Sequence, residues 1–263
     1  MAKPTMRDLL KAGLHYGHRA SRWNPRMAPF IFGKRNLIHI INLRETMRGL
    51  ITARRFVSRI VSMGQGVLFV GTKRHARNTI KAEALRCNMH FVSERWLGGT
   101  LTNFRYIRSR LGRLFDLEEL FDSGAIFNYS KKEASLLRRE KDRIHRNLEG
   151  IRNMEELPGA VFVVDPHREK NAVAEARRAG IPTICLADTD CDPDDADILI
   201  PGNDDAMRAV ELVARQIADA VIEGQEKRQA QDAVQPLAPR PATVPAGGAA
   251  PTAEAGPAPA PAN

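Results

Sequence analysis

Four short apolar runs constrain this chain more than any other feature: Val67–Val70, Ala160–Val164, Thr183–Ala187 and Ile198–Ile200. Each is rich in β-branched side chains and bounded by Gly, Pro or Asp. Runs of this length without polar alternation predict strands covered on both faces, as in a parallel sheet. Between them the apolar period lengthens to that of a helix. Helices are predicted from Thr72 to about Arg86, over residues 168–179 and over 204–223, where Ala206, Val210, Val213, Ile217 and Val221 share one face. Gly180-Ile181-Pro182 marks a helix stop and a new strand. Upstream, Asn36–Asn42 is predicted as a further strand and Leu43–Ser62 as a long helix. Strands alternating with helices mean βαβ units, so the expected fold class is α/β, a parallel sheet flanked by helices.

The alternation stops between about Arg105 and Arg152. Ile107, Leu111, Leu114 and Phe121 follow a heptad-like spacing, and Leu137, Ile144, Leu148 and Ile151 repeat it after a break holding Gly124 and Asn128. Ser130-Lys131-Lys132-Glu133 has the spacing of a capping box, in which the serine and the glutamate side chains each satisfy a free backbone N–H. Residues 106–152 are therefore expected to form a protruding antiparallel coiled-coil hairpin, inserted into a discontinuous α/β domain of residues 1–105 and 153–228. The competing arrangement is two ordinary helices packed on the sheet. Residues 229–263 are dominated by Ala and Pro, with almost no large apolar side chain. Such a segment cannot bury enough surface to offset its ordering entropy, so a disordered tail is expected.

The 263 residues carry a net charge of +9, unevenly distributed. Residues 1–110 hold 22 Lys+Arg against 4 Asp+Glu, residues 111–152 hold 9 against 8, and residues 153–263 hold 9 against 19. A net of +18 outruns the −10 of the last segment, and a basic block attracts polyanions before any specific contact forms. Mutual attraction of the two halves inside one fold is the alternative. Cys87, Cys185 and Cys191 are odd in number and lack CxxC spacing, which argues against a disulfide framework or a cysteine-rich zinc site. No run approaches the roughly 18 apolar residues of a membrane span, and Met1 to Leu14 lacks the apolar stretch of a signal peptide. A cytoplasmic protein without membrane partners is expected.

Catalytic patterns fail on inspection. Gly66 to Lys73 resembles a phosphate loop, but the residues between its glycines are the predicted strand itself, and Lys73 follows Thr72. Gly64-Gln65-Gly66 lacks the third glycine of a dinucleotide fingerprint. The acidic run Asp188 to Asp195 has Pro193 and Leu199 where a calcium loop needs Gly and Glu, so it reads as a polar turn. A divalent ion bridging Asp188 and Asp205 stays open there, without being essential. His15 and His18 are close but have no accompanying metal motif, and Asp165-Pro166-His167 lacks a paired nucleophile, so hydrogen-bonding roles are expected. No cofactor is expected. What remains is two basic stretches interleaved with aromatics. Arg19, Arg22, Trp23, Arg26, Phe30, Phe32, Lys34 and Arg35 lie in one loop-like segment, and Arg95, Trp96, Phe104, Arg105 and Tyr106 in another. Arginine forks bind phosphates and stack on bases. Core packing is the expected role of Trp23, Trp96 and Phe104. Arg19, Arg22, Arg26, Lys34, Arg35, Lys73, Arg74, Arg77, Arg95 and Arg105 are the expected RNA-binding set.

The same stretches carry a resemblance. Ala12-Gly13-Leu14-His15-Tyr16-Gly17-His18, Trp23-Asn24-Pro25, Phe30-Ile31-Phe32-Gly33 and Ile38-His39-Ile40-Ile41-Asn42-Leu43 resemble the opening of the bacterial small-subunit ribosomal protein two family. Leu68 to Lys73, Arg95 to Phe104 and Ile200 to Ala206 agree, so the resemblance runs in order from about Met6 to Gly224. It implies a parallel α/β domain with a projecting hairpin, seated on small-subunit ribosomal RNA near the head–body junction. It also implies contacts with neighbouring small-subunit proteins, a role in docking small-subunit protein one, and no catalytic residues or homo-oligomer. An α/β phosphate- or sugar-handling enzyme and a free RNA-binding regulator are the competing functions.

Overall fold

The computed structural model describes residues 4–234. Helix α1 (Met6–Ala12) precedes strands β1 (Tyr16–Arg19), β2 (Ile31–Arg35) and β3 (Ile38–Ile41), which pair antiparallel in the order β1-β3-β2. Helix α2 (Leu43–Ser62) leads into a second, parallel sheet. Its strands are β4 (Val67–Val70), β5 (His90–Val92), β6 (Ala160–Val164), β7 (Thr183–Ala187) and β8 (Ile198–Pro201), in the order β5-β4-β6-β7-β8. Helix α3 (Arg77–Arg86) joins β4 to β5, and α4 (Phe104–Asp122) and α5 (Lys131–Leu148) lie between β5 and β6. Helix α6 (Lys170–Arg178) joins β6 to β7, and α7 (Met207–Val234) follows β8.

Every residue of β4, β6 and β7 is buried. Strand alternation splits them between two core layers. Val67, Phe69, Ala160, Phe162, Val164, Ile184 and Leu186 pack with residues of α2, α3 and α7. Leu68, Val70, Val161, Val163 and Cys185 pack on the other side with residues of α4, α5 and α6. Helices on both faces are the physical reason these strands read as continuous apolar runs. Helix α2 lies hard against the sheet and α7. A Cβ on Gly49 would stand 2.2 Å from the Leu199 carbonyl oxygen, and one on Gly224 2.8 Å from that of Ser58.

The capping box forms as its spacing predicts: the Glu133 N–H donates to Ser130 Oγ at 3.3 Å, and the Ser130 N–H to Glu133 Oε2 at 3.1 Å. Helices α4 and α5 pack chiefly on each other, and their apolar stripe runs at its base into the core of the body. Ile107, Leu111, Leu114, Leu117, Ile144 and Leu148 are buried in the same core layer as Leu68 and Val161. The turn between the helices is exposed, with Phe127 89% accessible.

Several boundaries differ from the sequence reading. Strand β2 lies in the segment from Arg19 to Arg35 that was read as loop-like, and β1 and β5 were not expected. In β1 and β2 no residue is fully buried, so no apolar alternation marks them. Asn36 and Leu37 have φ of 50° and 62° and form the hairpin turn, so β3 starts at Ile38 rather than Asn36. Helix α3 starts at Arg77 rather than Thr72, because the chain after β4 first makes the turn that carries Lys73 inward. Helix α7 continues to Val234, through the first residues of the segment read as a tail. Residues 235–263 of that segment lie outside the described residues.

Two glycines test the packing. Gly49→Ala should cost about 1–3 kcal/mol, because the backbone of Leu199 and Ile200 leaves the new methyl no room. Gly112 lies within α4 with nothing within 4 Å of its virtual Cβ, so Gly112→Ala should stabilise by about 0.5–1 kcal/mol. Denaturant unfolding followed by far-UV circular dichroism measures both, and equal effects would contradict the packing described.

Candidate nucleic-acid interface and the charge cluster beside it

The parallel sheet reverses its strand order at β4, with β5 on one side and β6 on the other. Loops past the carboxyl ends of two such strands diverge and open a crevice, where open α/β sheets hold charged ligands. Here the protein's own side chains meet in it. Lys73, just past β4, places its ammonium 3.2 Å from Asp165, 2.8 Å from Asp204 and 2.6 Å from Asp205. Asp165 follows β6 and holds φ +64°, a left-handed conformation that aspartate tolerates better than most residues. Asp204 and Asp205 follow β8.

The antiparallel sheet docks on this same edge. The His18 N–H donates to Asp188 Oδ1 at 3.1 Å and to Thr189 Oγ1 at 2.9 Å, and its Nδ1 lies 2.9 Å from Asp188 Oδ2. The Asn24 N–H donates to the Thr189 carbonyl at 2.7 Å, and the Asn203 amide to that of Gly13 at 3.1 Å. A Cβ on Gly17 would stand 2.7 Å from Thr189 Cγ2, so glycine permits the approach. Three segments distant in sequence thus interlock around one group of charges. The hydrogen bond to Asp188 pushes the His18 imidazole up to about 9, against burial. Burial weakens the charge on Lys73, but Asp204, Asp205 and Asp165 hold its pKa above the ordinary lysine value. Burial and the charge of Asp165 push Asp204 up to about 7, against the pull of Lys73.

A second buried carboxylate was invisible in the sequence reading. Glu175 of α6 accepts from the Trp96 indole at 3.0 Å, from the N–H groups of Gly99, Leu101 and Thr102 at 2.8, 3.1 and 3.3 Å, and from the Thr102 hydroxyl at 3.2 Å. It anchors the loop from Arg95 to Phe104. The available signal was a charged residue among Ala172, Val173 and Ala176 on the buried face of α6. Trp96 is buried, as expected, and Phe104 packs partly buried against the core. Trp23 instead sits at the surface, 5.0 Å from the His39 ring. All three cysteines are buried and free, and burial pushes Cys87 and Cys185 up to about 12.

The ten predicted cations divide. Lys73 is enclosed by the carboxylates above. Arg77 pairs with Glu94 at 2.9 Å, and Arg26 with Asp192 and Asp194 at 2.8 and 2.9 Å. The chain's basic and acidic ends are therefore not separated in space. Arg19, Arg22, Lys34, Arg35, Arg74, Arg95 and Arg105 are exposed, and none is ion-paired with a carboxylate among the described residues. Arg19 and Arg35 both pair in register with Ile38, so they flank the central strand on one face of the small sheet. Arg74 and Arg95 follow the carboxyl ends of β4 and β5, and Arg105 lies in the first turn of α4. Phe32, 80% exposed, stands beside Lys34 on β2.

The family profile described as Ribosomal protein S2 matches residues 9–224. The chain belongs to the ribosomal protein S2 family. It is 54% identical over 233 residues to the small ribosomal subunit protein uS2 of Rhodopirellula baltica, covering 89% of this chain and 90% of that one. As a member of the ribosomal protein S2 family it is a structural protein and not an enzyme, which sets aside the enzyme reading of the βα turns. No helix among the described residues is long and apolar enough to cross a membrane.

Glu175 supplies a pH test. Burial disfavours its charge, but the Trp96 indole and the three backbone amides outweigh that and hold the carboxyl below its ordinary value of 4.5. A depressed folded pKa contributes stability that is complete above the unfolded value and is lost as pH falls through the folded one. Glu175→Gln should therefore cost about 2–3 kcal/mol at neutral pH. The deficit should shrink as pH falls below about 4.5, where the unfolded chain's carboxyl takes up its proton first, until the folded carboxyl protonates at a lower pH. Urea midpoints of both proteins between pH 7 and pH 3 measure this, and a deficit independent of pH would contradict it.

Proposed function

We propose that the chain seats on small-subunit ribosomal RNA through the cations its own carboxylates leave free: Arg19, Arg22, Lys34, Arg35, Arg74, Arg95 and Arg105. The observation that carries this reading is their exposure without carboxylate partners, beside a charge cluster in which Lys73 is fully engaged. The docked antiparallel sheet presents Arg19, Lys34 and Arg35 on a fixed frame, with Arg22 in the loop after β1, and Phe32 adds an exposed aromatic that can stack on an unpaired base. Lys73, Arg26 and Arg77 leave the proposed contact set, because their charge is answered within the chain. Neighbouring small-subunit proteins are the proposed partners of the exposed hairpin turn around Phe127. Docking of small-subunit protein one rests on the family resemblance of the motifs. The protein acts as a single copy in the bacterial cytoplasm.

Binding to small-subunit ribosomal RNA should weaken steeply with salt, since each phosphate neutralised releases condensed counterion. Replacing one of the seven cations by Gln should lower the slope of log affinity against log salt by about one unit. Grouped Glu substitution of Arg19, Arg22, Lys34 and Arg35 should exclude the protein from small subunits in a co-sedimentation assay. The same change at Arg178 and Arg208, exposed beyond the basic stretch, should leave it bound. The reverse ranking, in proteins with native circular dichroism, would falsify this assignment.

A further inference from the structure

We propose that the groove between α2 and α7 docks an acidic amphipathic helix of a neighbouring small-subunit protein. The groove encloses about 690 Å³ and runs along α2 from Met47 to Ser62, about 22 Å at the rise of a helix. Its floor is aliphatic: Leu50 is buried, Met47 is half-buried and Ile51 is 40% exposed. Cations border that floor. Arg54, Arg55 and Arg59 come from α2, and Lys227 comes from α7. None of the seven cations proposed for RNA lines the groove. That the partner is a small-subunit protein rests on the function proposed above.

Charge selects the occupant. Glu223 is the one carboxylate among the lining residues, and it is already held. Lys227 donates to it at 2.8 Å, and Arg54 lies 3.6 Å away. Arg54 also donates to Gln216 Oε1 at 2.7 Å, and Lys227 to Ser58 Oγ at 3.0 Å. Arg55 and Arg59 are exposed, and neither is ion-paired with a carboxylate among the described residues. They stand one turn apart on α2, about 6 Å along its axis, which is the spacing of carboxylates at i and i+4 on a second helix. A helix that is aliphatic on one face and acidic beside it covers the floor and answers both arginines. A third helix also fits the groove between two packed ones by ridge-into-groove geometry. RNA fits it less well. No lining residue is aromatic, so no base can stack there, and phosphates on Arg55 and Arg59 would leave the aliphatic floor uncovered. Residues 235–263 of this chain carry Arg240 and Glu254 as their only charged side chains, so they do not supply an acidic partner.

The test uses the full chain with one photoreactive group in the groove. Cys87, Cys185 and Cys191 are buried and therefore unreactive, so Ser62→Cys takes a single benzophenone maleimide. The labelled protein is reconstituted into small subunits and irradiated, and the cross-linked peptide is sequenced by mass spectrometry. The expected product is a segment of a neighbouring small-subunit protein with net negative charge and aliphatic residues at three- and four-residue spacing. Arg55→Glu with Arg59→Glu should lower its yield by about tenfold or more, while incorporation into subunits, read by co-sedimentation, stays unchanged. Ile51→Gln, which interrupts the aliphatic floor, should lower the yield as well. Should the charge-reversed chain lack native circular dichroism, Arg55→Gln with Arg59→Gln takes its place. A product with ribosomal RNA, with a neutral or basic protein segment, with residues 235–263 of this chain or with a second copy would overturn the proposal. No product, or a yield indifferent to the charge reversal, would overturn it too. Loss of incorporation by the folded charge-reversed chain would mark the two arginines as RNA contacts and overturn it likewise.

Discussion

One lysine holds the structure's most expensive arrangement together. Lys73 sits between Asp165, Asp204 and Asp205, which follow two different strands of the parallel sheet. Bringing like charges together out of water is unfavourable unless an opposite charge lies among them. The turn after β4 delivers that charge. With it in place, the loops after β6 and β8 can close over the carboxyl edge, and the segment from Gly13 to Asn24 can lie down on them. Most of what distinguishes this chain from a bare α/β sheet follows from that closure.

The same closure sorts the chain's cations. A basic first segment and an acidic last one would suggest a two-faced molecule, yet His18, Arg26, Lys73, Arg86 and Arg54 all reach carboxylates from the second half of the chain. Internal neutralisation and an outward basic surface are not alternatives here. The fold uses some cations to join its own parts and leaves others, on the docked sheet and in the loops after β4 and β5, facing solvent. Those are the cations a polyanion can reach. Their frame is fixed by the interior pairs, so binding need not first order the surface.

How much of this was legible in the sequence depended on burial. Strands β4, β6 and β7 and helix α2 were readable because two-sided burial and a 20-residue amphipathic period leave strong patterns, and the edge strand β8, only partly buried at its start, still carries a short apolar run. The capping box at Ser130 was readable because its chemistry is local. Strands β1 and β2 were not, since each is four or five residues long with no fully buried position. The charge cluster could not be read either. His18, Lys73, Asp165, Asp188 and Asp204 are spread over nearly the whole described chain, and only the strand order makes them neighbours. The sequence showed Lys73 as one basic residue among many near few acids. Its partners lie more than ninety positions away, past β6 and β8. Glu175 was hidden for a similar reason, as its donors come from a loop over seventy residues earlier.

Hydrogen exchange bears on this dependence most directly. In the wild type, amides that tie the two sheets together, those of His18 and Asn24, should exchange as slowly as those of β6 and β7. In Lys73→Met, which keeps the stem and removes the charge, peptides covering residues 16–41 should exchange much faster by local opening. Peptides covering residues 160–187 should stay protected. If residues 16–41 kept their protection in Lys73→Met, or if both regions lost it equally, the docking of the antiparallel sheet would not depend on the pairing of Lys73 with its carboxylates.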